Sequence, residues 1–178
     1  LPRTVGDNRG VSPSDPETIQ RLRREGRFRE ALGMARQLLI GQKRASDLPP
    51  IELADAARLV ATLEAATALS AEDQSQLAEA DRLGGEVARL YAAQQLPEAI
   101  DAARRQLAIR SRLQGRDHPE TASCLNDLSL CLQDRGDLEG AEAPLREALS
   151  ARRKRLGTEH PDTAESLNDL ARLYWLRG

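Results

Sequence analysis

Gly115-Arg-Asp-His-Pro-Glu-Thr-Ala returns 42 residues later as Gly157-Thr-Glu-His-Pro-Asp-Thr-Ala, and the agreement runs on from Leu125-Asn-Asp-Leu into Leu167-Asn-Asp-Leu. His118 and His160, Asn126 and Asn168, and Gly136 and Gly178 all obey this shift. Run backwards, it carries Leu125, Leu132, Leu138, Ala141 and Leu149 onto Leu83, Leu90, Leu96, Ala99 and Leu107. A period of this size marks an array in which each unit buries its apolar face only against its neighbours. Two full copies are present, roughly 83–114 with a weaker lead-in and 115–156, followed by part of a third at 157–178.

Each copy reads as two helices. His118-Pro119 and His160-Pro161 put proline at the first helical position, where its missing N–H costs nothing, and acidic residues follow in the first turn. Leu125, Leu128 and Leu132 form an i, i+3, i+7 apolar stripe, Gly136 closes the helix, and a second helix runs from Gly140-Ala141 to Arg155. Ala141, Leu145, Ala148 and Leu149 fall on its inner face, the alanines allowing close approach. Composition agrees: Leu and Ala number 28 and 27, whereas Val, Ile and Thr together reach only 16, too few for a sizeable sheet. The fold class is all-α.

The N-terminal half is less regular. Residues 1–13 are expected to be a flexible leader. Residues 14–46 read as a degenerate helix, turn, helix pair opened by Ser14-Asp15-Pro16-Glu17, with Gly26 and Ala31 aligned on Gly136 and Ala141. Residues 47–82 form an irregular helical segment: a helix from about Pro50 to Leu69, a fresh cap at Ser70, and a long helix from Ala71 to about Gln94. Gly84-Gly85 is a place where that helix is expected to bend or break. The regular array then occupies 83–178.

These residues resemble tetratricopeptide repeats, and the 42-residue form resembles those of kinesin light chains. The small and large positions of that signature fall on Leu125, Leu128, Ser129, Leu132, Gly136, Leu138, Ala141, Leu145 and Ala148, and later on Leu167, Leu170, Ala171 and Tyr174. His160-Pro-Asp-Thr-Ala-Glu-Ser-Leu-Asn-Asp-Leu-Ala-Arg-Leu-Tyr is close to the kinesin light chain phrase, which usually carries two Asn where this chain has Asn168-Asp169. The resemblance implies a right-handed superhelical solenoid of antiparallel helix pairs whose first helices line a concave groove holding a peptide or partner segment. It also implies a bacterial setting in which such arrays are fused to kinases, regulators or proteases.

Helical geometry then places Ser123, Asn126, Leu130, Gln133 and Asp134 on the face that the resemblance makes concave. Their counterparts are Glu165, Asn168, Arg172, Trp175 and Leu176 in the last repeat, and Asp81, Gly84, Ala88, Tyr91 and Ala92 in the earlier one. The candidate partner-binding residues are Asn126, Asn168, Gln133, Arg172, Trp175, Tyr91, Ser123 and Glu165. Asn126 and Asn168 lead, because an amide offers donor and acceptor together to the main chain of an extended peptide. Gly84 at the equivalent place interrupts that ladder. The alternative, asparagines that are solvated or bonded within the array, stays open.

Net charge is −2, so no long-range attraction to nucleic acid or an anionic membrane is expected. No apolar run approaches the roughly 20 residues of a membrane span, and the polar, Pro/Gly-rich start is no signal peptide. The arginine clusters Arg21 to Arg29, Arg104 to Arg116 and Arg152 to Arg155 read as solvated helix ends. One histidine per repeat, with no second ligand at coordinating spacing, gives no metal site; His118 and His160 are turn and cap residues. Cys124 and Cys131, seven apart on one helix, cannot pair with each other and read as reduced apolar residues, pointing to the cytoplasm. No catalytic motif is present, so no enzyme activity and no cofactor are expected. The last helix would leave Leu167, Leu170, Leu173 and Tyr174 bare, so the chain is expected to be part of a longer array or to self-associate through that helix. The expected function is a protein-interaction module, with a structural spacer or a sensor within a larger regulator as alternatives.

Overall fold

The computed structural model describes residues 15–44 and 49–178. The leader assigned to 1–13 and the boundary drawn at 46/47 lie outside the described residues. Among those described there are eight helices and no strand: α1 (Pro16–Arg24), α2 (Phe28–Arg44), α3 (Pro50–Thr67), α4 (Ala71–Ala92), α5 (Leu96–Leu113), α6 (Pro119–Asp134), α7 (Leu138–Leu156) and α8 (Pro161–Arg177). They divide into two compact units, one ending at Ala68 and one beginning at Leu69.

In the first unit Asp15 caps α1, its carboxylate accepting from the Thr18 amide at 3.2 Å. Ile19 and Leu22 of α1 and Phe28, Ala31 and Ala35 of α2 are buried, and α2 packs on both α1 and α3. Arg36 of α2 reaches Glu64 of α3 at 2.7 Å on the surface, a contact of little energetic weight.

The second unit is a solenoid of antiparallel pairs, α4 with α5 and α6 with α7, and α8 stacked on α7. Ser70 opens α4, accepting from the Asp73 amide at 3.1 Å. His118 and His160 cap α6 and α8 through Nδ1, which accepts from the Glu120 amide at 3.2 Å and the Asp162 amide at 3.1 Å. The core follows the repeat: Leu83, Val87, Leu90, Leu128, Leu132 and Leu173 of α4, α6 and α8 meet Ala99, Ile100, Ala103, Ala141 and Leu145 of α5 and α7. Ala99, Ala103 and Ala141 have no exposed surface, which is what lets the paired helices approach.

The helix expected to bend or break at Gly84-Gly85 runs through both residues without interruption. Each interior glycine costs helix about 1 kcal/mol, and packing against α5 overrides that. Gln106 of α5 lies across Gly84, its Nε2 only 2.7 Å from where a Cβ would stand. One repeat on, the arrangement is exchanged, with Asn126 on the first helix and the small Ala148 on the second.

The same hairpin closes three pairs. The amides of Arg27, Gln95 and Asp137 donate to Leu22, Leu90 and Leu132 carbonyls at 2.8–2.9 Å. The preceding residue takes a left-handed conformation each time: Gly26 at φ 75°, Gln94 at 59° and Gly136 at 88°. Only Gln94 bears a side chain there, a conformation that costs L-residues roughly 1–2 kcal/mol. Gln94→Gly is therefore expected to stabilise the fold by about 1 kcal/mol, read as a raised urea midpoint at unchanged slope.

The arginine clusters are not uniformly solvated. Arg110 and Arg152, themselves one repeat apart, are buried to 5% and 4% side-chain exposure. Arg110 binds Asp81 of α4, Glu120 of α6 and Gln114. Arg152 donates to the Asp162 carbonyl and Ser166 hydroxyl, both at 2.8 Å, to Glu165 at 3.1 Å, and to Ser123 at 3.4 Å. Each arginine thus clasps the first helix of its own repeat to the first helix of the next. A guanidinium suits this place because its five donors diverge in a plane and it never loses its charge.

Candidate functional site

The candidate residues sit on α4, α6 and α8, whose neighbours in the array lie side by side. Asn126 is 2% exposed and committed to the array. Its Nδ2 donates to Asp169 at 2.9 Å and its Oδ1 accepts from Ser166 at 3.2 Å, both on α8. It holds two first helices together and presents no free amide to a peptide. Asn168, identical in local sequence, is exposed.

Ser123 and Glu165 both bind Arg152, and Ser123 also donates to the Pro119 carbonyl at 3.2 Å. Tyr91 and Arg172 meet at Asp134: the Tyr91 hydroxyl donates to one carboxylate oxygen and Arg172 Nη1 to the other at 3.4 Å. Asp134 therefore bridges all three first helices. The hydrogen bond to Asp134, together with burial, pushes the Tyr91 phenol up to about 12, so it stays a donor at any physiological pH.

Gln133 is 4% exposed, and neither its carboxamide oxygen nor its nitrogen has a partner. A buried unsatisfied amide costs about 1–3 kcal/mol for each orphaned group. Trp175 is 80% exposed, and Leu167, Tyr174 and Leu176 are also open on α8, with Tyr174 accepting from Arg146 at 2.7 Å.

Between α4 and α6 the face contains a cavity of about 220 Å³ lined by Gly84, Val87, Ala88, Tyr91, Asp127, Leu130 and Cys131. Gly84, Ala88, Tyr91 and Leu130 belong to the face expected to be concave; Asp127 was not among the candidates. Its signal is in the repeat. Asn126 bonds Asp169, 43 positions ahead, and the same step from Gly84 leads to Asp127. Where the later junction has an amide for its acid, the earlier has none.

Burial pushes the Asp127 carboxyl up to about 6, opposed by Arg152 of α7 and reinforced by Glu165 and Asp169 of α8. The folded state therefore favours the protonated acid relative to an unfolded value near 3.9. The penalty for ionising it is absent below about pH 4, grows between pH 4 and 6, and is complete above pH 6. Asp127→Asn is expected to stabilise the fold at pH 7 by on the order of 1–2 kcal/mol. Melts from pH 4 to 7.5 should show the difference between variant and native chain widening over that window.

Burial also raises the Cys124 thiol to about 12 and Cys131 to about 11. Both are free and buried, so they pack rather than react. Among the described residues no group of three or more metal-ligating side chains is assembled, and no helix is long and apolar enough to cross a membrane.

The tetratricopeptide repeat family matches residues 85–154, from the second half of α4 to the last turn of α7. No curated protein matches at a significant level. Among solved structures, the kinesin light chain TPR-like repeats of Podosopora anserina are 22% identical, the match covering 95% of this chain and 90% of that one at a TM-score of 0.47. A crystal structure of a point variant of those repeats aligns at 22% identity over 91% and 84% of the two chains, with a TM-score of 0.48. BtubC (BKLC) from P. vanneervenii is 19% identical, with 92% of this chain and 58% of that chain covered at a TM-score of 0.46. This chain thus spans less than two thirds of the length of BtubC. The 42-residue register, the helix pairs and the family match agree on tetratricopeptide repeats at residues 85–154.

Proposed function

We propose that the array at 83–178 is a non-catalytic module that binds an extended peptide or partner-protein segment along the face built by α4, α6 and α8, within a larger protein. Tetratricopeptide repeats generally mediate protein–protein interaction, which is the coarse form of this reading. The observation that carries the finer form is the cavity at Gly84 and Asp127, which opens on the face that also holds Tyr91, Asp134 and Arg172. A preformed recess beside fixed polar groups is the usual design of a recognition site. The buried free thiols support a reducing compartment, and the cytoplasm is the proposed location.

Selection from a randomised dodecamer peptide library tests this. Selected peptides are expected to lose at least tenfold in affinity on Tyr91→Ala with Asn168→Ala, and to be unaffected by Arg153→Ala on an exposed part of α7. Sensitivity to Arg153 with indifference to Tyr91 and Asn168 would move the site to another surface.

The exposed apolar residues of α8 favour a second, compatible reading: this helix meets a second copy of the chain or further helices. Light scattering after size exclusion should show self-association that Trp175→Glu with Leu176→Glu abolishes. A concentration-independent monomer would rule out the second copy.

A further inference from the structure

We propose that the cavity between α4 and α6 receives one lysine or arginine side chain of the bound segment, its alkyl stem against Val87, Ala88, Leu130 and Cys131 and its cationic head on the Asp127 carboxylate. This rests on the groove reading above and assigns it a charge preference.

Three observations converge. The first is size: about 220 Å³ falls below the roughly 300–1,000 Å³ of small-molecule and cofactor pockets, so a single side chain is the fitting occupant. The second is the break in the repeat. At the α6–α8 junction Asn126 donates to the acid at 2.9 Å, whereas at the α4–α6 junction residue 84 has no side chain and Gln106 fills the space behind it. Asp127 is left without a hydrogen-bonding partner among the described residues, and the donor role passes to whatever enters.

The third is charge. No cation lines the cavity. The other acids on this face already have partners: Asp81 holds Arg110, Asp134 holds Arg172 and Tyr91, and Asp169 holds Asn126. Arg152 is spread over Asp162, Ser166, Glu165 and Ser123. Asp127, whose proton affinity Arg152 lowers and Glu165 and Asp169 raise, is the acid of this face that no cation or amide binds directly. A charge-assisted bond to a partly buried carboxylate is about twice as strong as a neutral one. A neutral amide would answer the missing hydrogen bond but not the charge, and an acidic side chain would be repelled.

Two variants separate cavity from charge. Asp127→Asn keeps the shape and removes the charge. Gly84→Asn with Gln106→Ala transplants the Asn126 and Ala148 pair of the next repeat, relieves the clash a Cβ would make with Gln106, and fills the cavity with a tethered amide. Peptides selected on the native chain are expected to carry Lys or Arg at one fixed position and to lose at least tenfold in affinity on either variant, both remaining folded. Selected peptides with no fixed basic position, or with affinity indifferent to both variants, would overturn the cavity proposal while leaving the groove reading in place.

A titration with N-acetyl-lysine N-methylamide, followed by amide NMR, decides the cavity independently of any library. Shifts are expected at Gly84, Ala88, Asp127 and Leu130. They should be at least fivefold weaker with the norleucine analogue and lost on Asp127→Asn. Equal response to lysine and norleucine would refute the proposal. A lysine-specific response without any selectable peptide would uphold the cavity and count against the extended groove.

Discussion

Replacing Arg110 with methionine is expected to destabilise the second unit by about 3–5 kcal/mol, the largest effect of any single substitution considered for this chain. Methionine supplies comparable apolar bulk, so packing is not the source. The Asp81 side chain is 4% exposed and would be left as a buried charge whose counter-ion has gone. Glu120, at 24% exposure, can rehydrate and adds less. Urea denaturation of the native chain, Arg110→Met, and Arg110→Met with Asp81→Leu forms the test. The double variant should recover most of the loss, because the buried acid leaves with its counter-ion and only the partly exposed Glu120 loses a partner. By contrast, breaking the exposed pair between Arg116 and Glu147 should cost no more than about 1 kcal/mol. If Arg110→Met matched that small figure, the clasp would have no structural weight.

The second large effect divides two residues that the repeat makes equivalent. Asn126→Ala strips Asp169 of its buried donor and Ser166 of an acceptor, and is expected to cost about 2–3 kcal/mol. Asn168→Ala, on an exposed side chain, should fall within about 0.5 kcal/mol of the native chain. Thermal melts of the two single variants read this directly. Asn126 variants therefore report on stability, and binding along the face is better probed at Asn168, Tyr91 and Asp127. Equal melting of both variants would mean that the Asn126 bonds to α8 contribute nothing.

Much of the fold was legible because it depends on local patterning. The 42-residue shift locates α4 to α8, proline after each histidine locates two helix starts, and Ser70 marks a third. The helix expected to end near Leu69 ends at Thr67, within the usual fraying of helix ends. What failed depended on the neighbour. The Arg104 to Arg116 cluster has the composition of a solvated helix end, and only the arrival of Asp81 and Glu120 from two other helices buries Arg110. Asn126 and Asn168 share the phrase Leu-Asn-Asp-Leu, so no local reading could separate them; α8 covers the first and leaves the second exposed. Gly84-Gly85 looked like a helix breaker because propensity is a property of one segment, whereas Gln106, 22 residues further on, supplies the packing. Asp127 became visible only once the bond between Asn126 and Asp169 had shown what it lacks.

The exchange of volume between Gly84 with Gln106 and Asn126 with Ala148 bears on how such an array changes over generations. Each compensating pair lies within one helix hairpin, so a duplication or transfer of that hairpin carries its internal fit intact. The acid that faces the first helix belongs to the next hairpin. A side-chain pocket in this array is thus written jointly by two adjacent modules, glycine or asparagine from one and aspartate from the other. Reordering modules would rewrite the string of open and closed pockets along the face without disturbing the packing inside any of them.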